Sequence, residues 1–574
     1  MDKMKNEELA KIFYAIADIL EFKNVQWKPR AYRTAARSIE SLSKDIEDIY
    51  KEEGIKGLKE ISGVGEGIAK KIAEFLETGK IQEYERLKKK VPKHFEELLK
   101  VPGLGIKRAK ILHEKLHIAS LKDLEKAAQE HKISKLESFR EKSEENILKG
   151  ISFVKGSGGR MLLGNALPIA TEIEERLKSL KEVQKVIVAG SIRRRKETIR
   201  DIDILVSAKN AERVTDFFTS MKEVNRVLGK GPTKSSIILK NNLQVDLRII
   251  PLEDYGAALQ YFTGSKEHSV HLRKLALKKH LKLSEYGVFK GKKKIAGKNE
   301  EEVYNALGLQ YIEPELREDK GEIELASQKR LPQLVLEKDI KGILHVHTSW
   351  SDGINSIEEM AETVKGLGYQ YVAICDHGGN LKIANSSDEK RLLKQMKAID
   401  LVNKKMKDFS ILKGSEVDIL KDGNLALKNS VLKELDIVIG SVHSGFKSSE
   451  KEMTKRILKA FDNPYLHVFG HPTGRMIHKR EPYSVQLSKV FEKAKERNIA
   501  LEIDSYPDRL DLSDANVKDA VNKKVKIAIG TDAHAKEHLR FFSLGVSTAR
   551  RGWATKKDVI NCFNVNELKK FLKR

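Results

Sequence analysis

Residues 187–206, IVAGSIRRRKETIRDIDILV, hold side chains at spacings that suit phosphoryl chemistry. Asp201 and Asp203 alternate with Ile202 and Ile204, so a strand here turns two carboxylates to one face and apolar groups to the other. Carboxylates this close repel unless a cation offsets them, and Mg²⁺ takes such oxygens together with substrate phosphates. A third carboxylate, Asp246, lies in the alternating run 244–248. Upstream, the Gly190-Ser191 turn offers backbone N–H groups and a hydroxyl to a triphosphate whose charge Arg193, Arg194 and Lys196 can offset. Each piece alone reads as a solvated strand edge or a basic loop. Together they read as a metal-dependent site for a triphosphate.

A second donor set lies near the C-terminus. His345 and His347 are expected on one face of a strand, followed by Asp352, His377, Glu416, His443, His471, Asp532 and His534, mostly just past predicted strands. Neutral imidazole with carboxylate is the ligand mix for Zn²⁺, Mn²⁺ or Fe²⁺. Strand and helix patterns alternate through 341–574, which predicts a (β/α) barrel with this chemistry at the C-terminal ends of its strands. Cys375 closes an apolar run and is assigned to the core, Asp376 and Asp418 to orienting the histidines, and Arg475 to contact with a substrate phosphate.

The elements that must position these groups follow from composition and period. The 574 residues require several domains, and a net charge of +25 with a pI near 9.5 predicts a polyanionic partner, since basic surface releases counterions from phosphate backbones. No run of 18 apolar residues occurs, and the first twenty residues pattern as an amphipathic helix rather than a signal peptide. The two cysteines, Cys375 and Cys562, make no disulfide framework, so a reducing, cytoplasmic setting is expected. Residues 1–150 read as helical, with Leu9, Ile12, Phe13, Ile16, Ile19 and Leu20 on one packed face. Gly63-Val64-Gly65 and Gly103-Leu104-Gly105 each follow an apolar anchor and open a new helix, as in helix-hairpin-helix units that hold DNA phosphates on backbone N–H groups. The charged stretch 313–340, with Pro314 and Pro332, reads as a linker draped over its neighbours.

The run 254–273, DYGAALQYFTGSKEHSVHLR, completes a pattern that resembles family X DNA polymerases, the DNA polymerase beta type. By that resemblance Tyr261, Phe262 and Gly264 lie at the sugar of an incoming dNTP, Arg273 reaches the template, and Arg248 contacts DNA. The run Trp27 to Ala36 is similar to the family's 5′-phosphate pocket, with Lys28 and Tyr32 as DNA contacts. Lys71 matches the Schiff-base lysine of lyase-active eukaryotic members, an amine that attacks only when neutral, as a neighbouring Lys70 or Lys28 would favour. The chain departs from the family at Arg195 and Arg200, where glycines are usual, and at Ser269, where asparagine is usual.

The C-terminal donors resemble those of the polymerase and histidinol phosphatase (PHP) domain, matching all nine positions of its trinuclear metal site. The implied architecture is a helical 5′-end-binding domain over 1–90, a second helix-hairpin-helix domain over 91–155, an α+β nucleotidyltransferase palm over 156–250, a thumb over 251–312, the linker 313–340, and a distorted (β/α)7-type PHP barrel over 341–574. The implied function is gap-filling DNA synthesis in base excision repair, with Mg²⁺ or Mn²⁺ at the aspartates. A PHP 3′-5′ exonuclease, or an apurinic-site endonuclease or 3′-phosphatase, accompanies it. The expected partners are gapped or primer-template DNA and dNTPs, with the chain a monomer. Two other readings stay open: a DNA-docked nuclease or phosphatase with a silent polymerase, and a non-catalytic DNA-end-binding protein.

Overall fold

The computed structural model describes residues 5–573 apart from 24, 41–44, 62, 89–94, 100, 102, 103, 138, 140–142, 146, 149, 152–158 and 380–384. Two compact units are present: Met1–Arg160 with Leu177–Val186 and Val206–Ile250, and Met161–Arg176 with Ile187–Leu205 and Pro251–Arg574.

In the first unit, the helical period of Lys5–Phe22 buries Leu9, Phe13, Ile16 and Leu20 against Tyr32, Ala35, Ala36 and Ile39 of the helix Lys28–Glu40. Gly63 joins the next helix pair at φ +78°, where an added Cβ would stand 2.5 Å from Thr34 Cγ2, so only glycine fits. The helices Glu66–Thr78 and Ile106–Leu116 begin at Gly65 and Gly105, neither of which supplies a side-chain cap. Gly103 lies outside the described residues.

The palm sheet contains β1 (Val183–Val188), β2 (Asp201–Ala208), β3 (Val224–Lys230), β4 (Lys234–Leu239) and β5 (Gln244–Ile249), in the order β1-β2-β5-β4-β3. Strands β3, β4 and β5 form an antiparallel meander in the first unit.

The second unit is dominated by a barrel of β6 (Gly342–Val346), β7 (Tyr371–Ile374), β8 (Ser410–Asp418), β9 (Ile437–Ser441), β10 (Val468–Phe469), β11 (Ala500–Asp504) and β12 (Ile527–Ala533). Every neighbouring pair is parallel, the order is β7-β6-β12-β11-β10-β9-β8, and pairing of β7 with β8 closes the ring. Alternate strand positions feed separate cores. Val372, Ile411 and Val438 join Met360, Val364 and Leu392 from outer helices, while Ala373, Leu412, Ile439 and Cys375 belong to an inner cluster with Leu568 and Leu572. Cys375 is therefore a core residue, and burial pushes its thiol up to about 12.

The stretch 313–340 is far from a loose tether. Arg317 is completely buried, donates to Ile312 O at 2.9 Å, and pairs with Glu300, which also takes two hydrogen bonds from Arg193. Arg550 pairs with Glu315 at 2.7 Å, and Val335 N donates to Ala554 O at 2.9 Å, so the segment is a strap fastened at both ends. The buried guanidinium pair holds Glu300 down at about 2 although burial opposes ionisation. Arg317→Met removes one of the two guanidinium partners of Glu300 and is expected to cost about 3 kcal/mol, read as a lower urea midpoint at unchanged m-value.

Candidate active sites

The barrel mouth gathers its donors at the C-terminal ends of the strands. Three groups have ligand atoms within 4.8 Å of one another: His347, Asp352, His377 and His534; His345, His347, Glu416 and Asp532; and His377, Glu416 and His443. His471 joins them through Nε2, 2.9 Å from Glu416 Oε1. The histidines of β6 do not lie on one face by simple alternation, as the sequence suggested. The strand is bulged at His345, which adopts φ +59°, and His347 follows the strand's end. The bulge aims both rings into the mouth with their centroids 5.1 Å apart. Left-handed backbone at Asp532 (φ +46°) as well is the strain expected where a site dictates side-chain direction.

The electrostatics suit cations. His345 Nε2 and both ring nitrogens of His347 are buried without a hydrogen-bond partner, although carboxylate oxygens surround them. Burial, together with His377 and His534, holds the His347 ring below the usual imidazole value. For His443 and His534 burial also opposes charge, but Glu416 with Asp418, and Asp352 with Asp532, outweigh it and lift both to about 9. Divalent cations and protons thus compete for the same lone pairs. Unpartnered imidazole nitrogens facing clustered carboxylates fit a multinuclear metal centre.

Several groups at the mouth escaped the sequence reading. Glu502, fully buried on β11, accepts from His345 Nδ1 at 2.6 Å and from His471 N at 2.7 Å, so it fixes the tautomer that turns His345 Nε2 inward. The signal was present, because Glu502-Ile503-Asp504 alternates as Asp201-Ile202-Asp203 does. Arg509 lies with Nε 3.4 Å from Asp504 Oδ2 and Nη2 4.0 Å from Asp532 Oδ2, a cation beside the donor set. Asp418 does meet a histidine, 3.5 Å from His443 Nδ1. Asp376 instead accepts from Thr348 N, Thr348 Oγ1 and Ser351 Oγ, shaping the loop before Asp352 rather than orienting a ring. Arg475 is also placed differently from the phosphate contact expected of it. Its guanidinium pairs with Glu197 at 2.7 Å and donates to the carbonyls of Arg509 and Leu510.

In the palm, Asp201 and Asp203 flank the fully buried Ile202 on β2. Gly190 sits at φ +60° against them, and a Cβ there would stand 2.1 Å from Asp203 Oδ2. Ser191 is on the short helix Gly190–Arg193, whose start no side chain caps. Arg194 is engaged: Nε pairs with Glu318 at 3.1 Å and Nη1 donates to Thr263 O. Arg195 takes the left-handed conformation (φ +56°), and burial lowers its pKa although Glu315 and Glu337 favour its charge. Tyr261 meets Phe262 edge to face at 5.1 Å, Arg273 lies 5.9 Å over the Tyr261 ring, and Gly264 turns at φ +64° before Ser265 caps the next helix. Ser269 is buried with its hydroxyl unpaired. In the first unit Asp246 accepts from Gln244 Nε2 at 2.9 Å and lies 3.9 Å from Lys234 Nζ, with Arg248 two residues on, in register with Lys234.

The 5′-pocket residues form a smaller cluster. Tyr32 Oη donates to Glu83 at 3.0 Å, and Lys71 Nζ is also 3.0 Å from Glu83. Lys70 pairs with Glu66 instead of facing Lys71, and Lys28 stands exposed at the start of its helix. A Cβ at Gly65 or Gly105 would meet nothing within 4 Å, so the protein itself leaves these helix starts open to a close approach.

Known families match in the order the folds occur: a helix-hairpin-helix domain over residues 4–81, a SAM-like helix-hairpin-helix tandem over 95–152, the DNA polymerase beta palm over 165–256, the DNA polymerase beta thumb over 258–318 and a PHP domain over 344–506. The DNA polymerase/3′-5′ exonuclease PolX of Bacillus subtilis (strain 168) is 37% identical over 577 residues, spanning the whole of both chains. The chain belongs to the PolX family. The PHP part also resembles proteins without a polymerase: a probable phosphatase of Thermoanaerobacter sp. (strain X514) is 32% identical over 240 residues, 40% of this chain and 93% of the phosphatase. Palm, thumb, hairpin domains and a closed parallel barrel are thus the fold class of this PolX member. No helix among its described residues is long and apolar enough to cross a membrane.

If Glu502 sets the His345 tautomer, Glu502→Gln should weaken Mn²⁺ binding by about 10- to 100-fold in calorimetric titration, with the melting temperature little changed. Gly190→Ala is expected to abolish nucleotide insertion by displacing Asp203, while shortening of DNA 3′ ends persists at the wild-type rate.

Proposed function

We propose that this PolX member is a DNA polymerase that fills short gaps in base excision repair and a 3′-5′ exonuclease acting from its PHP domain. The observation that carries the reading is the convergence of all nine PHP donors in a chain that also presents Asp201, Asp203 and Asp246 on a polymerase palm. Divalent cations held by these donors, Mg²⁺ or Mn²⁺ at the palm and Mn²⁺, Zn²⁺ or Fe²⁺ at the barrel, supply Lewis acidity and neutralise developing charge. The protein's own groups do the positioning. Gly190 and Ser191 present backbone N–H groups and a hydroxyl to the dNTP triphosphate, Tyr261 and Phe262 bound its sugar, and Arg248 and Arg273 lie along the DNA. At the barrel, Glu502 orients His345, and Arg509 in place of Arg475 meets the phosphodiester.

The open helix starts at Gly65 and Gly105, with Gly63 and Gly103 in their turns, are assigned to DNA phosphates, which suits the net charge of +25. Lys28 and Tyr32 are assigned to the 5′-phosphate. Lys71, in an ion pair with Glu83, is assigned to the same 5′-end contact rather than to lyase chemistry. We read the enzyme as a cytoplasmic monomer.

One observation favours a second reading, a DNA-docked nuclease with a silent polymerase: Arg194, expected at the triphosphate, is held by Glu318. Gapped DNA bearing a 5′-phosphate separates the two. Wild type should insert one nucleotide, Asp203→Ala should lower insertion alone by about 10³-fold or more, and His345→Ala should do the same to 3′-end shortening alone. EDTA should stop both. Shortening without any insertion by wild type would establish the second reading.

A further inference from the structure

Beside the barrel mouth stand three aromatic side chains that the metal centre does not use. Tyr506 follows Asp504 by two residues, and its backbone N–H donates to Asp504 Oδ1 at 2.8 Å. His538 Nδ1 accepts from the backbone N–H of His534 at 3.4 Å, and Phe541 is one turn further along. The Tyr506 ring lies 5.2 Å from His538 and 5.4 Å from Phe541, at 79° and 75°, while His538 and Phe541 stack at 5.9 Å. All three are partly exposed, and Arg540 lies 5.0 Å over the Phe541 ring. In an edge-to-face pair the edge-on ring keeps its faces out of the contact, so the cluster retains aromatic surface for a ligand. Next to it, Arg509 lies against Asp504 and Asp532 at the donor set.

A cation beside the donor set, on a turn in which Arg509 N donates to Tyr506 O at 2.9 Å, and partly exposed rings on that same turn fit the arrangement that holds single-stranded DNA without reading its sequence. We propose that Tyr506, His538 and Phe541 form a stacking subsite for the base of the 3′-terminal nucleotide, with Arg509 receiving the phosphodiester behind it. The inference rests on the exonuclease reading and deepens it: the last base of the 3′ end is received by these rings while its phosphodiester meets Arg509. No covalent step is assigned to the three residues, which position the end for the donors at the mouth.

The test uses the full-length protein and an oligothymidylate ending in 2-aminopurine, whose fluorescence is quenched on stacking. With EDTA present, wild type should quench it, Tyr506→Phe should quench it equally, and Tyr506→Ala and Phe541→Ala should not. With Mn²⁺, Tyr506→Ala should raise KM about ten-fold for a 3′ end carrying its base, but at most two-fold for an end whose last residue is an abasic tetrahydrofuran. Equal losses on both ends, or quenching that survives both alanine variants, overturns the subsite. If wild type quenches the probe yet shortens no 3′ end, the exonuclease reading falls and the stacking surface stands. If it shortens ends while quenching is the same in every variant, the reverse holds.

Discussion

Glu416 is fully buried at the end of β8, and five imidazoles face its carboxylate: His471 at 2.9 Å, His377 at 3.0 Å, His443 at 3.1 Å, His345 at 3.4 Å and His347 at 3.6 Å. An isolated carboxylate in such a place would be protonated, but the surrounding rings hold its pKa far below the usual range against the effect of burial. Each ring in turn comes from a different strand end, apart from the two after β6, so one anion ties five strands of a seven-stranded barrel to a common point. The barrel mouth is therefore a charge-compensated cluster in which no member can change its ionisation alone. A cation entering the cluster competes with protons for the imidazole lone pairs.

Space for that cluster comes from the smallest residues around it. A Cβ at Gly530 would stand 1.9 Å from Glu502 Oε1, so the glycine on β12 is the steric condition for a carboxylate on β11 to reach His345. The left-handed backbone at His345 and Asp532 costs of order 1–3 kcal/mol at each residue, and the parallel ladders on both sides hold it there. Strain and room are both local. The architecture beneath is ordinary alternation of strand and helix, with two apolar cores that would form whatever stood at the mouth.

That division explains how much was legible in the sequence. Period and punctuation carried the helical first domain, the Asp-x-Asp strand and the parallel barrel, because each depends on local pattern and a buried face. The donor region was legible because histidines and acids recur at strand ends, where side chains converge in such a barrel, and the resemblance to the PHP domain singled out the nine. Glu502 was missed for the opposite reason: it sits inside an apolar strand, where an acid looks like an isolated exception until its partner is known. The bulge at His345 was hidden because a left-handed histidine arises from tertiary contacts and not from propensity. Arg475 and Glu197 are 278 residues apart, and no local rule pairs them. The stretch 313–340 had the composition of a tether, yet its charges are spent internally, Arg317 on Glu300 and Glu315 on Arg550.

Arg195 shows what such long-range pairing does to a family motif. Glycine suits its position because the turn needs φ +56°, and from sequence alone an arginine there threatened the approach of a triphosphate. In the structure Arg194 is held by Glu318, and Arg551 donates to Arg194 O at 2.6 Å. The loop from Gly190 to Lys196 is thus anchored to the strap by Arg194 and Lys196, and Arg551 holds it through the carbonyl of Arg194. Left-handed strain of about 1–2 kcal/mol at one residue is offset by these buried charge contacts. What was lost in backbone freedom is returned as a fixed position for Gly190 against Asp203. Arg194 is the exception within the loop, since the same contacts that fix the turn also occupy the cation that a triphosphate would need. A phosphate on this guanidinium would have to take the place of Glu318.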